Sequence, residues 1–228
     1  MRRAEIGCLI FDVDGTLYRQ APVRRGMAIR LLANCARNPV EGWRTASFVR
    51  HYRRAQESLR KSGERRDQLA VACERAGVAQ SWGEKCVERW INEGPLDLVA
   101  GAIYPELVTF LEKARERSMK LAVLSDYPAE RKLSALGLSA FFSCVVSAVD
   151  PRVRRFKPDP SGLLTVMAEC GSGTSETIYV GDRPEVDAEA ARRAGVQCII
   201  VGQRHGASGI GWEGVPNYKA LGGMLGIN

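Results

Sequence analysis

The sequence has no C-x-x-C pair, no long apolar run and no internal repeat or low-complexity tract, and each absence narrows what the chain can be. Its seven cysteines, Cys8, Cys35, Cys73, Cys86, Cys144, Cys170 and Cys198, are odd in number and scattered. That argues for reduced thiols in a cytoplasmic protein, used as small buried apolar side chains. Met1-Arg2-Arg3 is basic, but the apolar run after it is short, carries Asp12 and Asp14 and lacks a small-residue cleavage site. Neither a signal peptide nor a transmembrane helix is expected. Excess charge is also missing from most of the chain. The net charge of +7 resides wholly in residues 18–97, where 16 Lys/Arg meet 9 Asp/Glu, while 17 basic and 17 acidic residues balance elsewhere. A polyanion such as nucleic acid is one reading of that excess, yet no recognition motif or interleaving of aromatics supports it, and it ranks last.

What is present is a chain of 228 residues, 45% apolar, enough for one sizeable α/β domain and a smaller one. Residues 6–13 are nearly continuously apolar, which suits a strand covered on both faces. Asp12 and Asp14 at its end point the same way, roughly 7 Å apart along the backbone. Such a pair needs a cation, or one acid must keep its proton. Gly15 then permits an unusual turn.

After Leu17 the pattern turns helical for about 80 residues and reads as an inserted module of four short helices. Met27, Leu31, Leu32 and Cys35 mark the first; Trp43, Phe48, Tyr52, Ala55 and Leu59 the second; Leu69, Ala72, Cys73 and Ala76 the third; Trp82, Cys86, Val87, Trp90 and Ile91 the fourth. The second has a strongly basic side, with Arg50, Arg53, Arg54 and Lys61, continued by Arg65 and Arg66. It is either a solvated face or a recruiter of an anionic substrate. Breakers at Asn92–Pro95 and Gly101 place the return near residue 97, so the expected domains are 1–17 with 98–228, and 18–97.

Beyond the return, strands at 120–126, 144–150, 178–182 and 197–201 alternate with helices, predicting a Rossmann-like parallel sheet with helices on both faces. The tail from Gly202 is glycine-rich and reads as irregular, with a short helix near 219–225. Ligands of such sheets bind beyond the carboxyl ends of the strands. There the sequence gathers Asp12 and Asp14, Ser125 and Asp126, Asp150, and Asp182 with Asp187 close behind. Hard oxygen ligands in that number call for a divalent cation, most simply Mg²⁺. Lys157, after the third strand, supplies a positive charge to share between these acids and a phosphate. Asp150 reads as a loop cap, and neither His51 nor His205 has an evident partner.

Phe11-Asp12-Val13-Asp14-Gly15-Thr16-Leu17, Leu124-Ser125, Lys157-Pro158-Asp159-Pro160 and Gly181-Asp182 with Asp187 resemble, in order and spacing, the four motifs of the haloacid dehalogenase-like hydrolase superfamily. The resemblance implies a Rossmann-like core with a helical cap inserted after the first strand. It makes Asp12 the nucleophile that forms an aspartyl-phosphate and Asp14 the acid/base. Ser125, with Asp126 beside it in the second motif, would bind the phosphate, and Lys157 would stabilise its charge. Mg²⁺ would be held by Asp12, Asp182 and the backbone carbonyl of Asp14, with Asp187 either ligating or ordering a metal-bound water. An acid two residues after the nucleophile favours phosphate over dehalogenase chemistry, whereas Asp126 stands where the family often has Asn. The expected activity is therefore a Mg²⁺-dependent phosphatase acting on a small phosphorylated metabolite. A sugar-phosphate phosphomutase and a non-catalytic binding protein for an anionic partner are the alternatives.

Overall fold

The computed structural model describes residues 6–204 and 206–227; Met1-Arg2-Arg3 and His205 lie outside them. The chain forms two compact units, Met1–Arg19 with Ile103–Asn228, and Gln20–Ala102. These breaks fall slightly later than residues 17 and 97. Tyr18 bridges to both Asp14 and Ile103 and so stays with the sheet, while Asp97 pairs with Arg30 and keeps its own stretch with the helices.

The helical unit holds α1 (Gln20–Arg37), α2 (Pro39–Ser62), α3 (Gln68–Ala76), α4 (Gln80–Val87) and a short α5 (Leu96–Ala100). A π-helical stretch, Glu88–Glu93, prolongs α4. Its core is Phe48, Val49, Tyr52, Ala55 and Leu59 of α2 against Val71, Ala72 and Cys73 of α3 and Cys86 of α4. Phe48 meets Trp82 edge-on at 5.3 Å, and Trp82 donates from Nε1 to Glu41 at 3.1 Å. The expected stripes are only partly the buried ones. In α1 the buried residues are Val23 and Met27, while Leu32 and Trp43 are 70% and 68% exposed. Spacing locates a helix, but more than one apolar stripe was available, and the inward one is set by the neighbouring helix. Arg50, Arg53, Arg54, Lys61, Arg65 and Arg66 are all exposed.

The other unit is built on a seven-stranded sheet with strands β1 (Cys8–Phe11), β2 (Lys120–Ser125), β3 (Cys144–Ser147), β4 (Thr177–Gly181), β5 (Gln197–Val201), β6 (Ser208–Gly209) and β7 (Trp212–Val215). Their order is β3-β2-β1-β4-β5-β7-β6, and only β6 runs antiparallel to its neighbour. The helices are α6 (Leu107–Glu116), α7 (Glu130–Ala135), α8 (Ser161–Cys170), α9 (Glu189–Ala194) and α10 (Tyr218–Leu225). On one face Ile10, Leu124, Val146 and Tyr179 pack under Leu163, Val166, Ala190 and Ala191 of α8 and α9. On the other, Phe11 meets Phe110 of α6 and Phe142 edge-on, and Phe110 stacks towards Tyr218 of α10. Covered on both sides, β1 is entirely buried, which is why its sequence runs apolar instead of alternating.

Three stretches depart from the sequence reading. The expected return near residue 97 holds α5, a fifth helix where four were expected. The tail, expected to be irregular, contributes β6 and β7, and β7 extends the parallel sheet beside β5. β3 ends at Ser147 instead of Asp150, since Asp150 begins a turn and pairs with Arg152 at 2.6 Å. The registers put Phe11 level with Val123 and with Val180. Residues just past these three positions therefore emerge together at one edge of the sheet.

Candidate active site

Asp12 follows β1 directly, and its N–H still donates to Val180 at 2.9 Å as a continuation of the ladder. The carboxylate is 5% exposed. Its Oδ1 accepts from Lys157 Nζ at 2.6 Å, and its Oδ2 accepts from the Thr16 hydroxyl at 3.0 Å. The turn that returns Thr16 passes through Gly15 at φ +102°, where a side chain would be strained. Space forbids one as well, because a Cβ on Gly15 would lie 2.1 Å from Asp182 Oδ2. Gly181 does the same for the other acid: a Cβ there would be 2.5 Å from Asp187 Oδ2. The two glycines are what let these carboxylates reach the end of β1.

Lys157 spends its ammonium on three neighbours, Asp12, Asp187 Oδ1 at 2.7 Å and the Tyr179 hydroxyl at 2.9 Å. Asp187, 1% exposed, also accepts from Tyr179 at 3.2 Å and, on Oδ2, from the backbone N–H groups of Asp182 at 3.1 Å and Arg183 at 2.9 Å. With two hydrogen bonds accepted on each oxygen, Asp187 is fixed in place and orients the loop that carries Asp182. Burial pulls the Lys157 ammonium towards neutrality, but the charges of Asp12 and Asp187 outweigh it and hold its pKa well above the usual lysine value.

One oxygen from each of Asp12, Asp182 and Asp187 lies within 4.8 Å of the others. Three carboxylates against one ammonium leave two negative charges uncompensated in a mostly buried pocket. The strain shows in titration. Burial pushes Asp12 up to about 8, with Lys157 opposing and Asp187, Asp182 and Asp14 adding to it. Burial, and then the charge of Asp187, pushes Asp182 up to about 7. An oxygen-only donor set carrying two spare negative charges suits a hard divalent cation.

Asp14 stands apart from this cluster. Both its oxygens accept from Lys132 Nζ, at 2.6 and 2.7 Å, and the Tyr18 hydroxyl also donates to Oδ1. Burial raises its pKa, but the Lys132 charge and the bonds from Lys132 and Tyr18 outweigh this and bring it below the ordinary carboxylate value. The expectation that such a pair needs a cation, or that one acid keeps its proton, meets a particular arrangement: Asp14 has a cation of its own in Lys132.

Ser125, 1% exposed at the end of β2, accepts from the Tyr127 N–H at 3.2 Å, which leaves its hydroxyl proton to donate. Asp126 is turned towards the third-motif loop, where Oδ1 accepts from the Lys157 N–H at 3.1 Å. The residue that departs from the usual Asn thus ties the loop carrying the lysine to the end of β2. Asp12, Lys157, Asp182 and Asp187 form one network, whereas Asp14 and Asp126 engage partners beside it. Four contributors escaped the sequence reading. Thr16 and Tyr179 each left a trace, a hydroxyl four residues after Asp12 and a polar tip inside an apolar strand. Tyr18 and Lys132 left none, since a tyrosine at a helix boundary and a lysine on a short helix read as ordinary surface residues.

Comparison with known proteins agrees with this geometry. The family model of the haloacid dehalogenase-like hydrolases matches residues 6–195. A phosphoglycolate phosphatase of Pseudomonas putida is 27% identical over 206 residues, covering 87% of this chain and 71% of that one. A glyceraldehyde 3-phosphate phosphatase of Methanopyrus kandleri is 26% identical, covering 86% and 84%. Among solved structures, a 2-haloacid dehalogenase from Pseudomonas syringae superposes with a TM-score of 0.68 at 24% identity, over 97% of this chain and 98% of that one. By the match over most of its length, with the four motif segments converging at one sheet edge, this chain belongs to the haloacid dehalogenase-like hydrolase family.

Proposed function

We propose that this protein is a cytoplasmic, Mg²⁺-dependent phosphatase that releases inorganic phosphate from a small phosphorylated metabolite. The observation that carries the reading is the Asp12 carboxylate. It is buried at a strand end, oriented on both oxygens by Lys157 and Thr16, and faces Asp182 in a cluster with two spare negative charges. A carboxylate so fixed is a nucleophile: it attacks phosphorus, one Asp12 oxygen forms the new O–P bond, and the ester P–O bond breaks. The negative charge of a substrate phosphate beside Asp14 favours its protonated form, and in that form it delivers a proton to the leaving oxygen. In the second half a water gives Asp14 a proton and attacks the aspartyl-phosphate, restoring both acids. The Ser125 hydroxyl donates to a phosphoryl oxygen, and Lys157 holds Asp12 in line.

The residues fit the metal the family implies. Asp12, Asp182 and the Asp14 backbone carbonyl would hold it with Asp187 behind them, and it would neutralise charge on the transferring phosphoryl group. Phosphoglycolate and glyceraldehyde 3-phosphate, the compounds in the relatives' names, put phosphoesters of two and three carbons first among substrates.

The test is a panel of phosphorylated metabolites with Mg²⁺, reading free phosphate separately from isomerised sugar phosphate. Wild-type protein should release phosphate, and Asp12→Asn should lose essentially all of that activity. Undiminished release by Asp12→Asn would remove Asp12 from the mechanism, and an isomer as product would make the enzyme a mutase.

A further inference from the structure

Lys132 is a charged residue inside the α/β unit to which the mechanism above gives no role. It sits in the first turns of α7, is 8% exposed, and reaches a carboxylate 118 residues away in sequence, contacting both oxygens at 2.6 and 2.7 Å. Placing an ammonium there is costly, since a long side chain gives up its rotamer freedom and much of its hydration. An apolar residue on α7 would leave the Asp14 carboxylate without its cation. The buried ammonium of Lys157 is engaged elsewhere, with its three N–H groups directed to Asp12, Asp187 and Tyr179. The orientation of Asp14 is held from two directions, because the Tyr18 hydroxyl donates to Oδ1 from the turn after β1. The Lys132 ammonium also lies 5.4 Å from the centre of the Tyr127 ring, which limits where its head can move.

We propose that Lys132 is a positioning residue for this reaction: it clamps both oxygens of Asp14 and sets the direction from which that acid exchanges a proton with the leaving oxygen and with water. This rests on the phosphatase reading. Lys132 acts through Asp14, so its loss is felt in turnover and hardly in substrate binding. Misplacing a reacting group by about 1 Å can cost on the order of a hundredfold.

The experiment uses the full-length protein with Mg²⁺ and the best substrate of the metabolite panel. Lys132→Met should lower kcat roughly tenfold to a hundredfold and leave KM within about twofold. Lys132→Arg, whose planar fork also grips both carboxylate oxygens, should recover most of the loss. Asp14→Asn combined with Lys132→Met should be no slower than Asp14→Asn alone, because a residue acting through Asp14 has nothing left to position. An unchanged kcat in Lys132→Met, a loss appearing in KM, or a double variant slower than Asp14→Asn would each overturn the proposal. Should Lys132→Met not fold, the last comparison decides, since the double variant removes both charges together. Failure of wild-type protein to release phosphate from any compound would overturn the phosphatase reading and this inference with it. Activity in wild type with normal kcat in Lys132→Met would overturn the inference alone.

Discussion

The two units handle charge in opposite ways. In the α/β unit the ionic groups of the site are few, buried and multiply bonded: Asp12, Lys157 and Asp187 are 5%, 4% and 1% exposed. In the helical unit they are many and of one dominant sign, and most lie at the surface, with Arg50, Arg53 and Arg54 exposed along α2 and Arg66 paired with a still more exposed Glu74. A buried charge is tolerable only if its partners are fixed, so each residue in the network constrains the others. A surface charge is screened by water and salt and constrains little. The proposed chemistry therefore rests on a handful of residues, each held by bonds to the others. The helical unit's charge sets a field that many arrangements of arginine would supply equally well.

The sharpest way to break that contrast is to remove Lys157, the cation of the buried network. Lys157→Met leaves Asp12 and Asp187 facing each other without a counter-charge. The expected cost is about 3–5 kcal/mol in stability, the range for breaking a buried ion pair from one side, with phosphate release falling below detection. Urea denaturation gives the first quantity and the metabolite assay the second. A cost below about 1 kcal/mol would mean that water reaches these acids and that the network resembles the surface pairs after all.

A milder probe supplies a cation in place of deleting one. Two spare negative charges at Asp12, Asp182 and Asp187 should bind Mg²⁺ in the folded state alone. At a hundredfold excess over its Kd, Mg²⁺ would add roughly 2.7 kcal/mol, or several degrees in the melting temperature of a chain this size. EDTA should reverse the shift, and Asp182→Asn should abolish most of it. Melting curves with and without the ion read this independently of turnover. Identical curves would leave the acid cluster without its proposed metal.

The same contrast governs what the sequence revealed. Asp12, Asp14 and Asp182 follow strand ends and Ser125 closes β2, so once β1, β2 and β4 are recognised as parallel neighbours, topology alone brings these four to one edge; Asp187 lies in the helical turn Pro184–Ala188 that follows β4. Lys132 could not be found that way. Its partner is chosen by where α7 packs, and a lysine beside Leu133 in a six-residue helix carries no local sign of being buried. The strands β6 and β7 were missed for another reason. With two and four residues among glycines, they have too few side chains to display a period of two. In α1, apolar spacing through Met27, Leu31, Leu32 and Cys35 announced a helix correctly but not its buried face, because a helix with apolar residues on several faces does not say which one a neighbour will cover.

At the weak end of the comparison stands Glu189, on the surface of the α/β unit, where α9 begins. It accepts from Arg192 at 2.8 Å and from Arg193 at 2.6 Å. These hydrogen bonds, Arg192 first, bring its pKa down to about 2 from 4.5, with slight burial opposing. Since the folded value is the lower one, the unfolded chain takes up the proton first as pH falls. The stabilisation is complete above the unfolded value and disappears as pH falls through about 2. Its size is limited by exposure, because both arginines are about half exposed and pairs of this kind contribute about 0.2–1 kcal/mol. Glu189→Gln should therefore lower stability by less than about 1 kcal/mol at pH 7, and the gap from wild type should narrow as pH drops from 5 towards 2 and shrink with added salt. Denaturation of both proteins across that window measures the gap. A loss of 3 kcal/mol or more would place Glu189 with the buried network, and the division of this molecule into fixed interior charges and exchangeable surface ones would have to be redrawn.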